Sequence, residues 1–268
     1  MIPETKSHYT GTPGWARRTI VFNWQALMTA FSLLTRLGRW SSQPPAPEVQ
    51  SRAALFYPLI GAVIGGLLVV LYVVMPDKIG VTVQATMLVG LWVWLTGAMH
   101  LADLAKSADA LSTGDSSSIA DILRDPRLSA WGVTALVMVL LLKLALLRTI
   151  LEIGASYWAL LAAPIGARLL VLIYIMITPR ASIDTDSNDL DLRPYQPIVI
   201  GLALIALVAS VWVMGRLAGT ALVVSLALWV VHWQHRWSRA VGGYTNSSLG
   251  ALIEVAEVVI LFLVVLTW

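Results

Sequence analysis

Residues 130–151 read AWGVTALVMVLLLKLALLRTIL. Over these positions only Lys143 and Arg148 are charged, and as a helix rising 1.5 Å per residue the run covers about 33 Å, enough to cross a hydrocarbon core of about 30 Å. Lipid is therefore the solvent to reason from. Working outward, apolar windows of similar kind lie near 55–75 and 81–100 before it, and near 156–177, 197–214, 217–233 and 249–268 after it. The pair at 197–214 and 217–233 is short and joined by a tight Gly215-Arg216-Leu217-Ala218-Gly219 turn. The pattern predicts an all-α, polytopic transmembrane bundle of about seven spans, give or take one. Composition agrees: 58% of residues are hydrophobic and only 12% charged, which excludes both an ordinary soluble domain and a disordered chain.

The stretch from Ile20 to Leu37 carries Asn23, Gln25 and Arg36, so it reads as an interfacial amphipathic helix with Trp24 at headgroup depth rather than as a span. Pro44-Pro45-Ala46-Pro47 marks a stiff loop. The chain thus divides into an N-terminal segment, 1–54, and a transmembrane domain, 55–268. The first twenty residues hold no apolar run of the signal-peptide kind. With the N-terminus cytoplasmic, thirteen of the eighteen Lys and Arg residues fall on the cytoplasmic side, against Lys78 and Arg216 on the other. This asymmetry predicts that orientation, in a cytoplasmic (inner) membrane, with the long polar loops 101–129, 178–196 and 234–248 facing the cytoplasm.

The absence of cysteine excludes disulfides, thiolate metal sites and a cysteine nucleophile, so any metal must sit on oxygen or imidazole. A net charge of +3 is explained by membrane topology and does not imply nucleic-acid binding.

The chemistry-bearing residues concentrate in the loop after the second window, which reads His100-Leu101-Ala102-Asp103-Leu104-Ala105-Lys106-Ser107-Ala108-Asp109-Ala110-Leu111 and later Ile122-Leu123-Arg124-Asp125-Pro126-Arg127. Five carboxylates between Asp103 and Asp125 are compatible with a plain solvated loop. If the span runs on as helix, however, positions 102, 106 and 109 share one face, and three acids there would form a hard-cation site of the type magnesium needs.

At these residues the chain resembles the membrane-bound cobalamin (5′-phosphate) synthases, the adenosylcobinamide-GDP ribazoletransferases. Their His-Leu-Asp-Gly-Leu-Ala-Asp-(Thr/Ser)-x-Asp-(Gly/Ala) motif keeps its frame through His100, Leu101, Leu104, Ala105, Ser107, Ala108, Asp109 and Ala110. A second motif, Met-Lys-Asp-(Ser/Pro)-Arg-x-Gly, is similar to Leu123-Arg124-Asp125-Pro126-Arg127-Leu128-Ser129. A third, Gly-Gly-x-Thr-Gly-Asp-Thr-Leu-Gly-Ala, is similar to the segment from Gly242 to Ala251, followed by matching Glu254 and Glu257. Leu34-Thr35-Arg36 and the run from Phe56 to Gly61 also look like family segments, so the resemblance covers about residues 30 to 268 in order. Three acidic positions of the family pattern differ: Ala102, Lys106 and Ser247 stand where it has Asp, and Asp103 occupies a Gly position.

The resemblance implies transfer of adenosylcobinamide-phosphate from adenosylcobinamide-GDP to the ribose hydroxyl of α-ribazole or its 5′-phosphate, with release of GMP and with Mg²⁺ as cofactor. On that template Asp109 and Asp125, with Asp103 as a weaker substitute, are the metal ligands, and Arg127 and Arg124 clamp diphosphate oxygens. Arg168 and Thr245 are further substrate-binding candidates, and His100 a candidate general base. Arg168 reads equally well as the partner of Glu254 or Glu257, and His100 as a structural hydrogen-bonding group. Lys106, one turn before Asp109, is expected to neutralise it and to leave Mg²⁺ weakly bound or unbound. Arg148 reads as a basic side chain that snorkels to an interface, a reading left open for Lys143, which lies deeper. The alternative function is a catalytically inactive family paralogue with a binding or assembly role. Expected partners are the corrinoid-GDP and α-ribazole substrates, the bilayer, and a second copy or other cobalamin-assembly proteins.

Two further clusters read as structural. His232 and His235, with Trp233 and Trp237, suit an aromatic interfacial belt. The four Asp residues from Asp184 to Asp191 form an acidic loop without the Gly and terminal Glu of an EF-hand.

Overall fold

A computed structural model describes residues 14–38, 46–76, 78–114, 117–183 and 190–268, the first seven of these by their backbone alone. Among them the chain is helical: α1 (Gly14–Leu34), α2 (Pro47–Ala54), α3 (Tyr57–Val74), α4 (Val81–Thr96), α5 (Met99–Ser112), α6 (Ile119–Arg124), α7 (Ala130–Ile153), α8 (Ser156–Ile177), α9 (Gln196–Met214), α10 (Arg216–Val241) and α11 (Asn246–Thr267). Pro44, Pro45, Asp115 and the acidic stretch from Asp184 to Asp189 lie outside the described residues.

Five of the predicted windows are unbroken helices long and apolar enough to cross a bilayer, within α3, α7, α8, α10 and α11, and α9 with the turn before it is a sixth. The window at 81–100 is different. Its helix stops at Thr96, and α5 leaves at 87° to α4. Gly97 (φ 63°) and Ala98 (φ 57°) both adopt the left-handed conformation, and their N–H groups bond back to Trp94 O and Val93 O at 3.2 and 3.1 Å. That closes α4 in the manner of a glycine C-cap, which hydropathy alone does not reveal because the apolar run continues through it. Counted as one bent span, the α4–α5 pair brings the total to seven. The polar region at 101–129 is correspondingly more ordered than a loop, since α5 and α6 occupy much of it. Likewise α10 continues to Val241, into the region read as the loop 234–248.

The α3–α8 pair forms the centre of the core. Gly61 and Gly65, four residues apart, face α8, where a Cβ at Gly61 would lie 2.4 Å from Pro164 O and one at Gly65 2.6 Å from Leu160 O. Pro164 lacks the N–H that would have bonded the Leu160 carbonyl, and the bare Cα of Gly65 approaches that same carbonyl. Small residues at this spacing allow helix backbones to touch within lipid. Burial is highest in α8 and α11, with 61% and 56% of their apolar windows buried, and lowest in α9, with 6%, so α9 presents its surface to lipid, with Trp212 81% exposed. The helix at α1 packs Ala26, Ala30 and Leu34 inward and leaves Trp24 outside, as its amphipathic pattern predicts.

Candidate active site

Helix α5 lies against the first turns of two spans, α7 and α11. Asp109, buried at 4% exposure, accepts at one carboxylate oxygen from Ser129 N–H (2.8 Å) and at the other from Gly132 N–H (2.6 Å) and the Ser129 hydroxyl. A negative charge over otherwise unpaired first-turn amides is stabilising. Gly132 is required here, because a Cβ would lie 2.7 Å from the carboxylate and 2.8 Å from Ala105 O. The carboxylate offered by the sequence as a metal ligand is thus engaged in capping α7. Asp109→Ala should lower stability by about 2 kcal/mol by orphaning buried donors, read as a shift in the unfolding midpoint, while Asp109→Asn should lose less; equal midpoints for all three proteins would contradict this role.

Asp103 faces α11. A Cβ at Gly250 would lie 2.0 Å from its Oδ2, and Ser247 lies beside its carboxyl. An acid at this position and a glycine at 250 are a matched pair. Ser107 completes the junction by donating to Ser247 O at 3.0 Å. Thr245 caps α11 in a reciprocal capping box with Ser248. The strand-like contact of Tyr244 with Pro179 and Ala181, through two backbone bonds of 2.9 Å, fixes where α11 starts.

Lys106 does not turn to Asp109. Its Nζ donates to Leu123 O at 3.1 Å, and its charge acts on Asp103 and Asp125. Residue 109 lies on the same helical face but is already satisfied by α7, so the ammonium reaches across to α6 instead. Arg124 is tethered nearby, Nη2 donating to Ile183 O at 3.2 Å. Together α6, Ile183 and the α11 N-terminus enclose a cavity of about 150 Å³, lined by Leu123, Arg124, Thr245, Asn246 and Ser247 with Ala120 and Ile183. This is below the roughly 300 Å³ of a site that encloses a drug-sized molecule. Asp125 and Arg127 sit outside it as a bidentate pair, Nη2 to Oδ2 2.9 Å and Nε to Oδ1 3.1 Å. The Arg127 side chain is 88% exposed. Its hydrogen bonds hold the Asp125 carboxyl down at about 2, so the pair stays ionised across the physiological range.

Beneath this layer lies a buried ionic cluster. Lys143 Nζ bonds Glu254 Oε2 at 2.6 Å and Glu257 Oε2 at 2.5 Å. Arg168 bonds Glu257 Oε1 and, at 3.3 Å, Pro164 O. Trp92 Nε1 donates to Glu257 Oε1 at 3.3 Å, and its ring lies 4.8 Å from the Lys143 ammonium. His100, 4% exposed, is within electrostatic reach of Arg168, Glu257 and Lys143.

The structure therefore gathers Arg124 and Thr245 at the cavity, with Asp103 behind Ser247, and separates the other candidates. Arg168 is fully buried as the partner of Glu257 and does not line the cavity. His100 belongs to the ionic layer. Lys143 does not snorkel; it is 2% exposed at the centre of the cluster. Its depth near the middle of the 130–151 run was the available signal, since an ammonium there needs a partner. Asp103, Asp109 and Asp125 have separate partners, and among the described residues no three His, Asp or Glu side chains gather as a metal site. Mg²⁺ takes one or two protein carboxylates beside water and phosphate oxygens, and the residues here do not fit it because Asp109 and Asp125 are each already engaged by protein donors.

The cobalamin-5-phosphate synthase family profile matches residues 26–265. The chain belongs to that family. Relatives carrying the name adenosylcobinamide-GDP ribazoletransferase include one from Acinetobacter baumannii, 31% identical over 84% of this chain and 90% of its own. Another, from Pseudomonas paraeruginosa, is 36% identical over 88% and 96%, and one from Thermoanaerobacter is 33% identical over 77% and 83%. No solved structure matches. In this cobalamin-5-phosphate synthase homologue two of the three departures from the family pattern lie at the cavity: Ser247 on its wall and Lys106, bonded to the lining residue Leu123.

Proposed function

We propose that the protein transfers the adenosylcobinamide-phosphate group from adenosylcobinamide-GDP to a ribose hydroxyl of α-ribazole or its 5′-phosphate, releasing GMP. The observation that carries this reading is the family match over most of the chain, joined to a cavity whose wall holds Arg124, with Lys106 one hydrogen bond away. In this reaction the hydroxyl oxygen forms a new bond to the corrinoid-side phosphorus, the bond from that phosphorus to the GMP oxygen breaks, and the hydroxyl proton is given up. Little covalent chemistry is asked of the protein, which supplies position and field.

Arg124 holds the diphosphate as a charge-assisted donor. The α11 N-terminus adds backbone dipole to the same wall. Asp103, beside the lining residue Ser247, accepts the hydroxyl proton. The excess of Lys and Arg in the loops joining these elements supports an orientation in which the cavity opens to the cytoplasm, in the inner membrane.

The test is acceptor-dependent GMP release. Purified protein in lipid nanodiscs, given adenosylcobinamide-GDP and α-ribazole with Mg²⁺ present, should form GMP and cobalamin product in equal amounts. GMP that appears at the same rate without α-ribazole, or no GMP at all, overturns the reading in favour of a binding or assembly role.

A further inference from the structure

We propose that the Lys106 ammonium is the resident cation of the diphosphate site, so that the nucleotide is held without a divalent metal ion. This rests on the transferase reading and specifies how its substrate is recognised. Three observations lead to it. First, two of the carboxylates expected as metal ligands are committed, Asp109 to the α7 amides and Asp125 to Arg127, and the third, Asp103, faces α11 at Gly250. Second, Lys106 extends to the cavity-lining Leu123, donating to its carbonyl at 3.1 Å. An ammonium has three N–H donors, so two remain for phosphate oxygens. Third, Lys106 is near enough to both Asp103 and Asp125 to act on them electrostatically, so its charge partly offsets theirs.

Charge arithmetic agrees. Compared with the family pattern that the sequence resembles, Ala102, Lys106 and Ser247 remove three carboxylates and add one ammonium, while Asp103 adds one carboxylate back, a net gain of three units of positive charge. A metal-dependent site needs anionic ligands to hold the metal, which then attracts phosphate. Here the protein attracts phosphate directly, with Lys106 as a point charge and Arg124 as the directional donor. Asp103 at its matched Gly250 keeps one carboxylate near Lys106, so the ammonium is partly balanced before substrate arrives.

The experiment measures binding of GDP and of adenosylcobinamide-GDP to the full-length protein in nanodiscs, in EDTA and in Mg²⁺, with Mn²⁺ titrated separately by electron paramagnetic resonance. Affinities in EDTA and Mg²⁺ should agree within about twofold. Lys106→Gln should weaken binding by about tenfold or more in both, Lys106→Arg should retain most of it, and helical content by circular dichroism should stay unchanged. The native chain should show no tight Mn²⁺ site, whereas the Ala102→Asp, Lys106→Asp, Ser247→Asp triple variant should gain one. Nucleotide binding that vanishes in EDTA, a tight Mn²⁺ site in the native chain, or unimpaired binding by Lys106→Gln overturns the proposal. Mg²⁺-dependent binding with acceptor-dependent GMP release would overturn it alone and leave the transferase reading standing. Metal-independent binding without GMP release would sustain it and overturn transfer. No binding under either condition overturns both.

Discussion

Glu257→Ala should destabilise the bundle by about 3–5 kcal/mol, the cost of leaving a buried ion without its partner. Glu257 is fully buried and joins three helices: its two carboxylate oxygens take Lys143 from α7, Arg168 from α8 and Trp92 Nε1 from α4. Removing it leaves Arg168 with only the Pro164 carbonyl and Lys143 with only Glu254. Two cations then face one anion in a region without water to solvate the excess. Set against total stabilities of about 5–15 kcal/mol, the loss is large enough to be seen as reduced yield of folded protein and a markedly lower unfolding temperature. Glu257→Gln should fall between, because an amide keeps the hydrogen-bond acceptor but not the charge. The paired change Glu257→Leu with Arg168→Leu should be milder than Glu257→Ala, since it removes one charge of each sign. Thermal unfolding followed by circular dichroism in nanodiscs separates these cases, and a double variant as unstable as the single would contradict a charge-pairing role.

Gly61→Ala should be the most damaging glycine change on α3, costing about 2–3 kcal/mol by overpacking. All three atoms that its Cβ would meet, at 2.4 to 2.9 Å, are backbone atoms of Pro164 and Ile165, so no rotamer change relieves the clash and α3 must move off α8. Gly65→Ala, meeting Leu160 O at 2.6 Å, should behave similarly. Gly66 on the same helix has nothing within 4 Å of the corresponding position, and Gly66→Ala should be neutral or slightly stabilising through helix propensity. A denaturation midpoint for each variant in one detergent checks the order; equal effects at 61 and 66 would remove the close α3–α8 contact from the account.

The elements most legible in the sequence were those set by hydropathy and length. The long runs at 130–151 and 156–177 correspond closely to α7 and α8, because one apolar segment in lipid has to satisfy its own backbone as helix. The end of α4 was not legible in that way. Gly97 inside an apolar run carries little hydropathy signal, while the left-handed turn at Gly97 and Ala98 is a backbone event. The Gly61-x-x-x-Gly65 spacing was a readable signal for the α3–α8 contact that hydropathy counting passes over. At the site, motif frame and helical period put positions 102, 106 and 109 on one face of α5, and the helix is there. What one-dimensional spacing could not supply was the partner each side chain selects: Asp109 turns to the α7 amides, Lys106 to Leu123, and Lys143 to two glutamates more than a hundred residues away. Those choices depend on how α7 and α11 close around α5.

The location of the site can be tested through the absence of native cysteine, which makes a single introduced thiol a clean reporter. Ala120 lines the cavity and carries no proposed chemistry, whereas Leu217, 88% exposed, lies at the start of α10 and outside the cavity. The measurement is the rate of maleimide labelling of Ala120→Cys and Leu217→Cys in nanodiscs, with and without adenosylcobinamide-GDP. The account predicts that the nucleotide slows labelling at position 120 by about tenfold and leaves position 217 unchanged. Equal labelling rates at position 120 with saturating nucleotide would contradict it.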